Sequence, residues 1–179
     1  MHLLRKAAVV GLSIVFFPAF AHVSLDEPAA LAGTMYKAAL RLGHGCGASP
    51  TTAIKVFIPT GFKGAKPMPK PGWVLTVAKA PLDKPYDDHG RSVTEDVSEI
   101  VWTAASREHW LPDAFFDEFV FRGGLPATGG PMWFKVEQTC EQGRNLWVEI
   151  PAAGQSAHDM KSPAALLEII GSGAGAHAH

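Results

Sequence analysis

The residue with the clearest potential for metal chemistry is His22, because a secretory cleavage signal precedes it. Residues 1–6 carry two basic groups and no acid, residues 7–17 form an apolar and small-residue run, and alanines occupy positions 19 and 21. This order is typical of a signal peptide, so we predict cleavage after residue 21 and a mature chain that begins at His22. The apolar run is too short for a comfortable membrane-spanning helix.

A histidine at the start of a mature chain offers two nitrogen ligands. The α-amine and the Nδ1 atom of His22 can close a six-membered chelate ring on one metal ion. Neutral nitrogen donors favour Cu(II), the strongest binder among the first-row divalent ions. An α-amine has an ordinary pKa of about 7.7–8.0, so a metal displaces its proton at modest cost near neutral pH. The sequence therefore predicts a Cu(II) site at His22.

Two cysteines, Cys46 and Cys140, give a second kind of chemistry. In an exported protein an even pair indicates a disulfide. A bridge across this long loop would contribute about 4–5 kcal/mol in the chain-entropy model. The alternative makes Cys46 a metal ligand, because it follows His44 after a single glycine.

Composition limits the partners of the mature chain. Removal of residues 1–21 leaves 158 residues with a net charge of −3, since the only charged groups removed are Arg5 and Lys6. One domain of this size can bury a substantial core, and its charge offers no basic surface for nucleic acid. We predict a periplasmic or secreted protein with no membrane span after cleavage. The sequence contains no Ser-His-Asp, zinc-protease or phosphate-loop pattern that would indicate an enzyme.

Alternating apolar residues predict an all-β domain over residues 22–170. Period-two alternation is typical of half-buried strands, and Gly- and Pro-rich turns separate the segments. The predicted strands are residues 22–26, 36–42, 52–58, 74–77, 99–103, 118–121, 133–138, 146–150 and 166–170. Many short strands with this spacing favour a β-sandwich. Residues 106–116 have a weak helical pattern, and residues 171–179 are predicted to be a flexible tail.

The alternation also predicts which side chains face the core. In residues 22–26, Val23 and Leu25 would face inward and His22 outward. In residues 146–150 the aliphatic side chains would face inward and Trp147 outward. An outward tryptophan needs a partner, and a covering loop or the C-terminal segment would serve as well as a metal site.

Motifs along the mature chain resemble those of the YcnI-like family of exported copper-binding domains, from residue 22 to residue 169. The segments that carry the resemblance include His22-Val23-Ser24, His44-Gly45-Cys46-Gly47-Ala48-Ser49-Pro50-Thr51-Thr52, Lys70-Pro71-Gly72-Trp73, Leu111-Pro112 and Leu146-Trp147-Val148-Glu149-Ile150-Pro151. The resemblance implies an immunoglobulin-like β-sandwich that binds one Cu(II) through an N-terminal brace formed by a single histidine.

The resemblance also implies roles for individual residues. His22 matches the brace histidine, and Trp147 matches a tryptophan that lies beside the copper. Gly45 stands where the family has a glutamate ligand, so that ligand is missing and His44 is the first candidate to replace it. Further candidates are Asp26, Glu27 and Cys46.

The sequence thus predicts a copper-binding protein, not an enzyme, that stores Cu(II) or passes it to another copper chaperone or a membrane copper transporter. Two other classes stay open. A nitrogen-ligated copper with an open position could activate oxygen in an oxidative enzyme, and the same sandwich without metal could serve as an interaction module.

Overall fold

The computed structural model describes residues 22–171, so the predicted signal peptide and residues 172–179 of the predicted tail lie outside the described residues. The described residues form eleven strands and two short 3-10 turns. The strands are β1 (Ser24–Leu25), β2 (Ala29–Leu31), β3 (Met35–Leu42), β4 (Thr51–Phe57), β5 (Lys63–Pro67), β6 (Trp73–Asp88), β7 (Arg91–Ala104), β8 (Asp117–Gly124), β9 (Gly130–Cys140), β10 (Arg144–Trp147) and β11 (Ala165–Ile170). The turns are Arg107–His109 and Ala157–Asp159.

The strands form two sheets that pack face to face. The smaller sheet has the order β1-β3-β8-β5, and the larger has the order β2-β11-β9-β4-β7-β6, with β10 pairing to β9. Only β2 and β11 run parallel among these described pairs. The two layers confirm the predicted all-β sandwich. Within the described residues no helix is long and apolar enough to cross a membrane.

Aromatic side chains join the two sheets in the core. Phe119 of β8 meets Trp102 of β7 edge-on with ring centroids 5.6 Å apart, and Phe121 of β8 meets Phe134 of β9 at 5.5 Å. All four side chains are buried. Edge-on aromatic pairs of this kind contribute about 0.5–1.5 kcal/mol each beyond the area that they bury.

The N-terminal strand follows the predicted alternation. Val23 and Leu25 are buried in the core, while Ser24 and Asp26 are exposed. β1 pairs with β3 through Ser24 opposite Arg41 and Leu25 opposite Leu40. The two inward side chains therefore anchor the start of the described chain to the smaller sheet.

The alternation failed where segments of strands have no buried face. β6 and β7 extend as a hairpin well beyond the predicted segments, and most of their outer residues are exposed. The tip places His89 at φ 52° and Gly90 at φ 81°, which matches the positive φ angles of a two-residue type I′ turn. Residues 106–116 are not helical beyond the short 3-10 turn, so that weak prediction was wrong.

Candidate metal site

The pairing of β1 with β3 brings His22 close to His44. β1 begins two residues after His22, and β3 ends two residues before His44, so this antiparallel pair holds both histidines at the same end of the sheet. Both histidines are half-buried at this end of the sandwich. A short antiparallel pair thus brings together two residues that are well separated in the sequence.

Trp147 faces the core, so the prediction that it faces outward was wrong. Its side chain is only 5% exposed, whereas Leu146 is 41% exposed. The cause is the register of β10 on β9, which sets Trp147 opposite the fully buried Val136. Residues directly opposite one another in an antiparallel pair share a face, so Trp147 lies on the core side of the sheet.

The inward Trp147 contacts both histidines. Its ring centroid is 5.8 Å from that of His22 and 6.1 Å from that of His44, with interplanar angles of 75° and 72°. We call His22, His44 and Trp147 the histidine–tryptophan cluster. The cluster bridges the two sheets, since His22 precedes β1 of the smaller sheet and Trp147 ends β10 of the larger.

The nitrogen atoms of the two imidazoles are not equivalent. The Nδ1 atom of His44 lies 2.6 Å from the Gly45 carbonyl oxygen. A carbonyl oxygen can only accept, so Nδ1 donates and a neutral His44 ring keeps its lone pair on Nε2. The Nε2 atom of His22 is buried. Chelation together with an α-amine would use the Nδ1 atom of His22, which lies nearer to the backbone.

The loop that carries His44 is fixed on several sides. Cys46 and Cys140 form the predicted disulfide, with their Cα atoms 6.0 Å apart, so Cys46 is not a metal ligand in this state. The Gly45 amide donates to Asp113 Oδ1 at 2.8 Å. A Cβ atom at position 45 would collide with the Ser49 carbonyl oxygen. A glutamate side chain at position 45 therefore does not fit this loop conformation.

Of the two carboxylates considered as further ligands, Asp26 is engaged in an ion pair, and Glu27 lies close enough to Tyr36 to affect its titration. Asp26 forms an ion pair with Arg41 at 3.0 Å, and both side chains are about half exposed. The Glu27 carbonyl oxygen accepts a 2.6 Å hydrogen bond from the Tyr36 hydroxyl. Burial, and then the negative charges of Glu27 and Asp26, raise the pKa of Tyr36 to about 12.

Side chains alone do not complete a metal site here. Between residues 22 and 171, no three His, Cys, Asp or Glu side chains form a group that could hold a metal ion. A site at the cluster would need the α-amine of His22 as its third nitrogen. The resulting set of one amine and two imidazoles is chemically suited to Cu(II).

The sequence analysis missed Gln138, a buried amide beneath the cluster. Gln138 is 1% exposed and contacts the His44 backbone and the Trp147 indole. A signal was available, because Gln138 occupies an inward position of β9 where Met132, Phe134 and Val136 are apolar. A polar residue in such a series indicates a buried hydrogen-bond network.

The fold and the comparisons with known proteins define an immunoglobulin-like β-sandwich. The chain is similar to a solved structure described as an uncharacterized protein from Nocardia farcinica with an immunoglobulin-like fold. The two share 26% identity with a TM-score of 0.63, over 83% of this chain and 97% of the other. The chain belongs to the family described as Domain of unknown function (DUF1775), whose model matches residues 22–169. None of the curated proteins compared with the chain matches it.

Proposed function

We propose that the chain, once cleaved after residue 21, binds one Cu(II) ion at the histidine–tryptophan cluster. The α-amine and Nδ1 of His22 would chelate the ion, and His44 would supply a further nitrogen through Nε2. The protein would then store copper or pass it to another copper chaperone or a membrane copper transporter. Bound Cu(II) would supply a redox-active centre, which this protein holds but does not use for catalysis.

The observation that carries this proposal is the contact of both imidazoles with one buried indole. His22 and His44 approach Trp147 edge-on at centroid distances of 5.8 and 6.1 Å. Two further facts support it. The family match begins at His22, the predicted first residue of the mature chain, and the motifs there resemble those of YcnI-like copper-binding domains.

The surroundings favour holding a metal ion over using it in a reaction. Trp147 is buried and covers one side of the cluster, and the disulfide and Asp113 fix the loop that carries His44. A rigid loop preorganises a ligand, which lowers the entropic cost of binding. The disulfide also fits the oxidising compartments, periplasmic or extracellular, in which such bonds persist.

The experiment that tests the proposal compares two forms of the mature protein. One form begins at His22, and the other carries one additional alanine before it. The extension converts the α-amine of His22 into an amide, so we expect Cu(II) affinity to fall by at least about 100-fold, more than the loss of an outer partner causes. Both forms should have the same urea midpoint, since the extension leaves the core residues Val23 and Leu25 in place.

The measurement is competition against a chelator of known affinity, with paramagnetic resonance spectra of both forms. Equal affinity with unchanged resonance parameters in the extended form would disprove the amine as a ligand. Turnover of reductant and oxygen by the copper-loaded form would instead favour an oxidative enzyme.

A metal-free interaction module is the second candidate. It is favoured by two exposed aromatic side chains, Phe115 and Phe116, which are 62% and 70% exposed. They directly precede β8, where Asp117 pairs with Leu42 at the end of β3 that leads to His44. Failure of the form that begins at His22 to bind Cu(II) would favour this alternative.

A further inference from the structure

The Gln138 side chain uses its whole hydrogen-bonding capacity. Its Nε2 donates to the His44 carbonyl oxygen and to Thr51 Oγ1, both at 2.8 Å. Its Oε1 accepts from Asn145 Nδ2 at 2.9 Å and from Trp147 Nε1 at 3.2 Å. An amide offers two donors and two acceptor positions, so all four are satisfied.

The partners allow only one orientation of this amide. The His44 carbonyl can only accept, and the Trp147 indole nitrogen can only donate, so Nε2 must face His44 and Oε1 must face Trp147. One rigid planar group therefore links the loop of His44 to the indole of Trp147. At 1% exposure, water has little access to replace either bond.

We propose that Gln138 is a positioning residue that sets His44 relative to Trp147 at the copper site. This inference rests on the proposed function wherever its test measures copper binding. Gln138 acts on the backbone of one ligand residue and on the side chain that packs against both.

The two halves of the amide give two separable links. The donor link joins Nε2 to His44, and the acceptor link joins Oε1 to Trp147. If position 138 only filled the core, an apolar residue would be enough, and apolar residues do occupy positions 134 and 136 on the same face of β9. The amide adds directional bonds to two segments that are distant in sequence, the His44 loop and β10.

The first test is Gln138→Glu, which keeps the length of the side chain and its acceptor oxygen toward Trp147. Burial favours the protonated carboxyl, so wild type and variant are compared at a pH that ionises it. The ionised glutamate cannot donate to the His44 carbonyl, so the donor link is lost while the acceptor link stays. We expect Cu(II) affinity to fall by about 10–100-fold, the range for lost outer partners of metal ligands, with altered paramagnetic resonance parameters. The indole N–H of Trp147 should keep its hydrogen bond in the metal-free protein, seen as slow exchange with solvent as in wild type.

The matched control is Thr51→Val, which removes another buried partner of the same Nε2 group and leaves both links in place. It should lower the urea midpoint but leave Cu(II) affinity within about threefold, since no outer partner of a ligand is lost. If Gln138→Glu binds copper like Thr51→Val, with wild-type resonance parameters, Gln138 has only a structural role and the proposal is overturned.

A second variant, Gln138→Met, serves if the buried carboxylate prevents folding. Methionine keeps the length without a charge and removes both links. In the metal-free protein, the Trp147 indole N–H and the His44 ring resonances should both move from their wild-type positions. Unmoved His44 resonances would overturn the positioning role. This measurement needs no copper, so it separates a failure of this inference from a failure of the proposed function.

Discussion

Two regions of the sandwich contain similar local contacts in different surroundings. At the histidine–tryptophan cluster, the Trp147 indole donates to Gln138 at 3.2 Å, and both side chains are buried. In the outer part of the β6–β7 hairpin, the Tyr86 hydroxyl donates to Asp96 at 2.8 Å, and both side chains are only half-buried. Each pair joins an aromatic ring to an acceptor across neighbouring strands.

The difference lies in what can replace each bond. Water can replace a lost partner in the half-buried hairpin, whereas a lost partner in the buried cluster leaves a polar group unsatisfied at a cost of about 1–3 kcal/mol. The cluster end is also covalently tied by the disulfide between Cys46 and Cys140. Substitutions near the cluster should therefore cost more stability than those in the hairpin, and only changes to a ligand or to a partner of a ligand should weaken metal binding strongly.

Removal of the disulfide should have the largest effect. With both Cys46 and Cys140 changed to serine, the unfolded chain regains the freedom of a loop that spans 94 residues. We expect the free energy of unfolding to fall by about 2–4 kcal/mol, measured by urea denaturation. Reduced wild-type protein is the control and should behave like the double variant. An unchanged urea midpoint would contradict the claim that this disulfide stabilises the end of the sandwich that holds the cluster.

Loss of the brace histidine should come next. His22→Ala removes one chelating nitrogen, so Cu(II) affinity should fall by roughly 100-fold or more, beyond the 10–100-fold of an outer partner. The matched control is His89→Asn at the hairpin tip, where the side chain is 99% exposed. Asparagine tolerates the positive φ of that position. Equal losses in the two variants would mean that copper binds histidines without regard to the cluster.

Trp147→Phe should have a moderate effect on stability and a distinct effect on spectra. Loss of the indole N–H removes one of the two donors to Gln138 Oε1, which should cost about 1 kcal/mol. Copper affinity should change little, because both histidines remain. Titration of wild type with Cu(II) should quench tryptophan fluorescence, and most of that quenching should disappear in the variant. Full quenching in the variant would place the metal beside another tryptophan.

Tyr86→Phe in the hairpin should have a smaller effect. Burial, and then the hydrogen bond to Asp96, raise the pKa of Tyr86 to about 12. The folded state therefore favours the neutral phenol. The contribution of this phenol to the free energy of unfolding is complete below pH 10 and is lost as the pH rises toward about 12. The variant should lose that pH dependence, and its free energy of unfolding should be only about 0.5 kcal/mol lower than that of wild type near neutral pH. Ultraviolet titration of the phenol and urea denaturation test both points.

Deletion of residues 172–179 should leave the cluster unchanged. Gly171 lies beside Gly129 at the start of β9, whereas Cys140 at the other end of β9 holds the loop of His44. Eleven residues of strand separate these ends by roughly 35 Å. Cu(II) affinity at one equivalent should therefore equal that of the undeleted mature form. A lower affinity for the first equivalent of Cu(II) would mean that the histidines of the deleted segment contribute to binding.

Much of the fold was predictable because one face of most strands is buried. The alternation in β3, β4, β9 and β11 marks the faces that pack in the core. It missed β2 and β5, which are short and lack an alternating apolar series. It also underestimated the hairpin, whose outer ladder depends on backbone hydrogen bonds and turn geometry more than on burial.

The candidate site was only partly predictable. His22 and the cysteine pair follow from residue type and position, and the disulfide is confirmed. The direction of Trp147 was mistaken, since Leu146 and Trp147 are both apolar and alternation alone cannot choose between them. The pairing of Trp147 with Val136 makes that choice.

The sequence by itself determined the all-β class, the cysteine pair and the nitrogen-donor character of His22, because these depend on local periodicity and residue chemistry. Only the tertiary structure decided that His22 and His44 share one indole and that Gln138 joins their surroundings. These relations depend on strand register and on the packing of two sheets. Register and packing are set by many distant contacts at once, so no local pattern contains them.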